Sequence, residues 1–270
     1  EWEHTGVLER RAEGDLWHKH AGWIQPKNLV HAWLAHAGIR FLGQAHVQTL
    51  RQDNGQWMLI NDRGDTLAQA QHVVFANAMG CKTLLQSLSP EFGLDHDLVE
   101  KVALFQALHG TLSSGDNGLA AHTEFPANGS GSYVSGIPTN DGLKWFAGAT
   151  FETDASRLLD VNSQHRANLE RLQTLLPEVG AALKPAFDEG KLTAWTGTRC
   201  VSHDRLPLVG ALEKNYQPTL WISAAMGARG LSFSALCAQW LVANMCSEPW
   251  PIDAQLAQSI NVQRPRRQRI

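Results

Sequence analysis

The sequence has no surplus of positive charge. Its 23 Lys and Arg face 26 Asp and Glu, for a net charge of −3 and a pI near 6.5. A surface that is basic throughout is therefore excluded, although a local basic patch is not. Cysteine is scarce and scattered, at Cys81, Cys200, Cys237 and Cys246, with no C-x-x-C pair. A chain of this size needs no disulfide framework, so the four read as buried thiols of a reducing compartment. No run approaches the ~18 apolar residues that a membrane span requires. The start, Glu1-Trp2-Glu3-His4, has neither a basic stretch nor an apolar signal core. The missing initiator methionine reads as the mark of a fragment. No H-E-x-x-H spacing, no G-x-S-x-G elbow, no internal repeat and no low-complexity segment occurs. His18-Lys19-His20 would place two imidazoles on one strand face, but a zinc site needs three or four ligands. Hydrolytic nucleophile and metal chemistry are unsupported.

What is present is ordinary globular protein. Of 270 residues 43% are hydrophobic and 18% charged, enough for one large or two small domains with a proper core. Residues 22–38 read as a helix, with Pro26 in its first turn, Leu29, Val30, Trp33, Leu34 and Ala37 at helical spacing, and Gly38 as its stop. A strand is expected over 40–50, then an Asp53-Asn54-Gly55 turn and a return strand over 56–60. HVVFA at 72–76 reads as a buried strand. Residues 102–150 alternate short β-like runs with Gly, Ser, Asn and Pro, the texture of an antiparallel sheet. A helix from Asn162 carries Leu169, Leu172, Leu175 and Leu176 until Pro177 stops it. Residues 192–200 look extended, LWISA at 220–224 is a buried strand, and residues 227–230 lead into a helix reaching Met245. The ten tryptophans fall on helix stripes and strand interiors and read as core.

Two places can carry chemistry. Strand, Gly227-Ala228-Arg229-Gly230 turn and helix follow one another directly. Unpaired N–H groups at such a helix start stabilise an anionic or electron-rich ligand, and two glycines allow close approach. A tight turn with no ligand fits the same residues. The second place is Arg199, at the end of an extended run, whose guanidinium can fork onto a carboxylate. An ion pair with Asp204 is its blander fate. The closing arginines, Arg264, Arg266, Arg267 and Arg269, read as a solvated tail or as phosphate contacts.

In order, these segments resemble the D-amino-acid-oxidase-type flavoproteins: GWIQP at 22–26 with Leu29, Ala45-x-Val47, HVVFANA at 72–78, Arg199-x(4)-Asp204-x-x-Pro207-x-x-Gly210, and GARGLS at 227–232. GATFE at 148–152 and HRANLERLQTLLP at 165–177 are similar to a narrower group. That group is the FAD-dependent oxidoreductase half of bifunctional tRNA 5-methylaminomethyl-2-thiouridine biosynthesis proteins. The resemblance implies an α+β or α/β fold in which a partial, Rossmann-like FAD-binding domain (21–100 and 196–250) interleaves with an antiparallel-sheet substrate domain (1–20 and 101–195). A basic tail (251–270) follows. It also implies FAD as cofactor, tRNA as partner, a cytoplasmic place, no membrane, and a methyltransferase half upstream. The implied reaction is oxidative removal of the carboxymethyl group from 5-carboxymethylaminomethyluridine at the tRNA wobble position, releasing glyoxylate. By the same resemblance Arg199 clamps the substrate carboxylate. Val47, Ala76, Asn77 and Ala78 touch the adenosine side of FAD, and Gly227, Ala228, Arg229, Gly230, Leu231 and Ser232 lie against the flavin ring.

The sequence departs from the pattern in three places. The G-x-G-x-x-G turn that forms the pyrophosphate site of such domains is absent, so the chain is expected to start after it and to be incomplete alone. His109-Gly110-Thr111 stands where relatives carry Arg-Gly-Gln, and Ser234-Ala235-Leu236 where they read Ala-Pro-Leu. Two other readings stay open: an oxidase of a free small amine or amino acid of the glycine or sarcosine type, and a non-catalytic binding module.

Overall fold

The computed structural model describes residues 8–10, 15–116, 123–214 and 219–265. The chain divides into two compact units, each made of separate stretches. One comprises Glu1–Ile39, Thr111–Thr150 and Leu159–Trp195; the other comprises Arg40–Gly110, Phe151–Leu158 and Thr196–Ile270.

A five-stranded sheet has the order Thr193–Val201, Gln106–Asp116, Gly142–Gly148, Ser132–Thr139, Ala127–Asn128; it lies largely in the first unit, with 106–110 and 196–201 counted in the second. The strand Gly142–Gly148 pairs antiparallel with both of its neighbours. Two helices, Val161–Leu175 and Pro177–Asp188, pack on the sheet. Asp160 starts the first by accepting the Ser163 N–H at 3.0 Å, and Pro177, free of an N–H to satisfy, opens the second. The expected leucine stripe does part of the packing: Leu172 joins Tyr133, Trp145, Ala147 and Leu183 in one buried cluster. Leu172 is 2% exposed, so Leu172→Ala should cost about 2–5 kcal/mol through lost burial and the cavity left behind. A lowered urea midpoint with unchanged slope checks this.

A buried polar seam holds the first helix to the strand beside it. Asn168 Nδ2 donates to Thr111 O at 2.9 Å and to Ser113 Oγ at 3.0 Å, and Ser113 Oγ meets His165 Nδ1 at 2.7 Å. Burial pushes the His165 pKa down, which favours the neutral ring as a structural partner.

The second unit holds two three-stranded sheets. Thr49–Asp53, Gln56–Ile60 and Thr66–Ala70 form an antiparallel meander, turned at Asn54 and Gly55, both at positive φ as the Asn-Gly pair predicts. In the other sheet Leu220–Ala224 lies between Leu208–Ala211, antiparallel, and Val73–Phe75, parallel. Both LWISA and HVVFA thus become strands. The helices Cys81–Phe92 and His96–Ala103 contribute to a core with Trp57, Phe75, Leu220 and Ile222. Val209, Trp221, Cys237, Trp240 and Ile260 form a second cluster.

Several expectations are corrected. The helix near the start is shorter, Pro26–Leu34, and buries no residue; Trp23 and Trp33 are each 47% exposed. The strand placed over 40–50 forms only at Thr49–Asp53; Gln48 still donates its N–H to Ile60 O at 2.8 Å, but the ladder goes no further back. Of the cysteines, Cys246 is exposed; it ends its helix just before the left-handed Ser247. The segment 251–270 is not a tail throughout. Ala254–Ile260 is a helix, and Ala257 and Val262 are fully buried. Arg264 is only 9% exposed and pairs with Asp204 at 2.8 Å. Arg266, Arg267 and Arg269 lie outside the described residues.

Candidate functional site

Two parallel strands, Val73–Phe75 and Leu220–Ala224, run side by side, and crevices beyond the carboxyl ends of parallel strands are where α/β folds hold ligands. After each strand the chain turns through a left-handed alanine, Ala78 at φ 51° and Ala225 at φ 62°. Such backbone costs a non-glycine residue roughly 1–3 kcal/mol and survives where the surroundings dictate it. Both alanines line one cleft of about 380 Å³, together with Ala76, Cys200, Ser223 and Gly227. Apart from Met226 the walls are small side chains, so a flat ring can approach the backbone.

Gly227 sits at φ 58°, where a Cβ would meet Val201 Cγ1 at 3.0 Å. It opens a 3₁₀ turn, Gly227–Arg229, that runs straight into the helix Gly230–Cys246. No side chain caps either start, so the N–H groups of this helical end have no side-chain acceptor and favour electron-rich ligand atoms. A second cleft, of about 580 Å³, shares Ala76 and is lined also by His46, Val47, Val74, Asn77 and Leu84 among others. Asn77 Oδ1 is held by the Cys81 thiol at 2.9 Å, which fixes the turn.

All the candidate residues from the sequence fall in this one unit. Ala76, Ala78 and Gly227 meet in the smaller cleft, and Val47, Ala76 and Asn77 in the larger. Ala228, Arg229, Gly230, Leu231 and Ser232 form the helical start itself rather than a wall of either cleft; Leu231 is 52% exposed. Arg199 immediately precedes Cys200 of the cleft wall. Its guanidinium lies 5.2 Å from the centre of the Phe151 ring, a cation–π contact that leaves its N–H donors available. The ion pair with Asp204 does not form, because that carboxylate is taken by Arg264. Near Arg199 in the sequence, Thr198 Oγ1 lies 3.1 Å from His109 Nδ1.

Sequence reasoning missed Phe151, Cys200, Ser223, Ala225 and Ser234. The cleft residues were within reach: whatever lies between the strand end and Gly227 has to face the same crevice. Burial pushes the Cys200 and Cys81 thiols up to about 11, so neither offers a thiolate at neutral pH.

The fold and this crevice agree with a sequence match: residues 2–244 fit the family described as FAD dependent oxidoreductase, DAO. The chain belongs to that family, with its α+β, D-amino-acid-oxidase-type fold. It is 42% identical, over 98% of its length, to the tRNA 5-methylaminomethyl-2-thiouridine biosynthesis bifunctional protein of Albidiferax ferrireducens, covering 45% of that relative. It is 39% identical to the protein of the same name from Polaromonas naphthalenivorans, over 91% of this chain and 38% of that one. The chain thus spans less than half the length of these relatives. Among solved structures, Amadoriase I of Aspergillus fumigatus, a fructosyl amine:oxygen oxidoreductase, matches 97% of the chain and 61% of its own, at 15% identity and TM-score 0.64. Glycine oxidase of Geobacillus kaustophilus matches 77% and 50%, at 19% identity and TM-score 0.55. Both share the fold.

FAD, the family's cofactor, fits what is here at its two ends. The small-walled crevice with its uncapped helix start suits the flavin ring, and the cleft beside Val47 and Asn77 suits the adenosine. The pyrophosphate turn is not in this sequence. Among the described residues no helix is long and apolar enough to cross a membrane.

Proposed function

We propose that this chain is the FAD-dependent oxidoreductase portion of a tRNA-modifying protein, one that removes the carboxymethyl group from 5-carboxymethylaminomethyl-(2-thio)uridine at the wobble position. One observation carries the reading. Arg199, next to a residue of the flavin-sized crevice, has no carboxylate partner among the described residues and rests only on Phe151. A planar fork with its donors available, on the residue before Cys200 of the crevice wall, can bind a substrate carboxylate in two prongs.

FAD, when bound, supplies a hydride acceptor for the carbon between nitrogen and carboxylate; hydrolysis of the resulting substrate imine gives glyoxylate and the aminomethyl nucleoside. The protein's part is to hold that carbon in place. Arg199 fixes the carboxylate, the backbone at Gly227 and Ala225 forms the floor, and the uncapped helix start stabilises negative charge. With the Cys81 and Cys200 thiols protonated, the residues act by position and charge. A cytoplasmic site of action and a methyltransferase half upstream belong to this proposal. The upstream half is supported by the word "bifunctional" in the names of relatives more than twice as long; the cytoplasmic site follows from the proposed tRNA substrate.

Released flavin absorbance near 450 nm (roughly where oxidised flavins absorb) tests the reading. It is measured on this chain and on a polypeptide extended upstream through a glycine-rich turn. Flavin held by the longer chain, together with conversion of carboxymethylaminomethyl tRNA to its aminomethyl form, is expected. Flavin held by neither overturns the proposal. Turnover of free glycine or sarcosine, untouched by tRNA, would instead assign a small-amine oxidase.

A further inference from the structure

Exposed cations stand on the turn Gly227–Arg229, which opens the helix at the crevice, and on the turn at 202–206. Between Lys191 and Ser247 the sequence carries five Lys and Arg but only two carboxylates, Asp204 and Glu213, in a chain that is acidic as a whole. Both carboxylates are consumed. Asp204 accepts from Arg264, Ser202 and the Leu206 N–H, and Glu213 accepts from the Leu220 N–H and Thr219 Oγ1.

Besides Arg199, two arginines of this stretch are left without a salt bridge among the described residues. Arg205 is exposed, on the turn between Ser202 and Leu206. Arg229 is exposed on the helical start, and its Nη2 donates to Arg205 O at 2.7 Å while its guanidinium lies 4.9 Å from the Phe233 ring centre. The two cations therefore sit on one fixed piece of surface, and neither forms a salt bridge among the described residues. Exposed His203 stands on the same turn. Arg205 is also left-handed, at φ 63°, a conformation that glycine adopts at least cost.

We infer that Arg205 and Arg229 form a phosphate-contact patch for RNA at the rim of the crevice, docking the nucleic acid whose modified base enters it. This rests on the proposed tRNA substrate and adds the surface that holds it. The Arg229 guanidinium, already held by a backbone carbonyl and a ring, pays little ordering cost on meeting a phosphate, and phosphate contacts release counterions.

Arg205→Gly makes the test sharp, because it removes the cation while relieving the backbone. Anisotropy of a labelled tRNA transcript, titrated with wild type and R205G across a salt series, is the measurement. The expected result is binding weakened by about 3- to 10-fold at low salt and a log K against log[salt] slope smaller by about one. The melting temperature should be unchanged or higher, which excludes unfolding as the cause. Equal slopes for the two proteins, or no tRNA binding by wild type at low salt, overturn the inference. Loss of retained flavin in R205G overturns it too, since the phosphate served would then be the cofactor's. Salt-dependent tRNA binding by a chain that holds no flavin in any form would sink the oxidase reading and leave this surface standing.

Discussion

Replacing Arg199 with alanine is expected to lower kcat/KM for carboxymethylaminomethyl tRNA by roughly 30- to 5000-fold, about 2–5 kcal/mol, when assayed in a polypeptide that retains flavin. The magnitude is that of removing one partner from a desolvated, hydrogen-bonded charge pair. The substrate carboxylate would be left without its counter-charge, and the carbon it positions would lose its alignment. Folding should be nearly untouched, because the Arg199 side chain has no described salt bridge and contacts the Phe151 ring 5.2 Å away. Arg199→Lys separates charge from geometry. It keeps the cation but not the two-pronged fork, so it should recover only part of the loss. Quantifying glyoxylate and aminomethyluridine from digested tRNA reads both variants. A rate for Arg199→Ala within about twofold of wild type would remove Arg199 from the site and with it the main support for a carboxylate substrate.

The parts of this fold that were legible in the sequence are those whose stability is local. Asn54-Gly55 announces its turn because few other pairs accept positive φ twice. The run at 220–224 announces a buried strand because its residues are apolar on both faces, and Pro177 separates two helices because it has no N–H to give. At the candidate site, Gly227 was legible as a point of close backbone approach, while Ala76 and Ala78 entered through the family resemblance alone. The site was illegible where it depends on pairing across the chain. Phe151 under Arg199 comes from a stretch 48 residues earlier in the numbering. Residues 40–48 have strand-like composition, but composition does not supply a ladder partner. The charge-rich end misled for a similar reason. Arginine near a terminus is usually solvated, yet Arg264 is buried by a carboxylate 60 positions away, and Asp253, which caps the Ala254–Ile260 helix through the Leu256 N–H, was the local clue that order continues.

That buried pair carries the largest stability effect expected in the molecule. Asp204 and Arg264 have side chains 17% and 9% exposed and exchange two hydrogen bonds, Nη2 to Oδ1 at 2.8 Å and Nε to Oδ2 at 2.9 Å. Arg264 spends its remaining donors on the carbonyls of Pro207, Asn261 and Leu206. The pair thereby ties the chain's closing segment, with buried Ala257, Ile260 and Val262, to the turn that bears Arg205. Asp204→Ala strands a guanidinium in a nearly closed site, and removing one partner of a buried pair costs about 3–5 kcal/mol. Replacing both residues by apolar ones of similar volume should recover much of that, because the orphaned charge goes with its partner. The pH dependence has a definite sign. Burial alone would raise the Asp204 carboxyl, but the hydrogen bond and charge of Arg264 outweigh it and hold the folded value below the usual range. A carboxylate depressed on folding contributes its full stabilisation above its unfolded pKa of about 3.9, and loses it as pH falls through the lower folded value. The gap in urea midpoint between wild type and Asp204→Ala should therefore be full at pH 7 and shrink below about pH 4, as wild type protonates the group the variant lacks. A gap of the same size at pH 7 and at the acid end would mean that the ionised pair is not what fastens this segment.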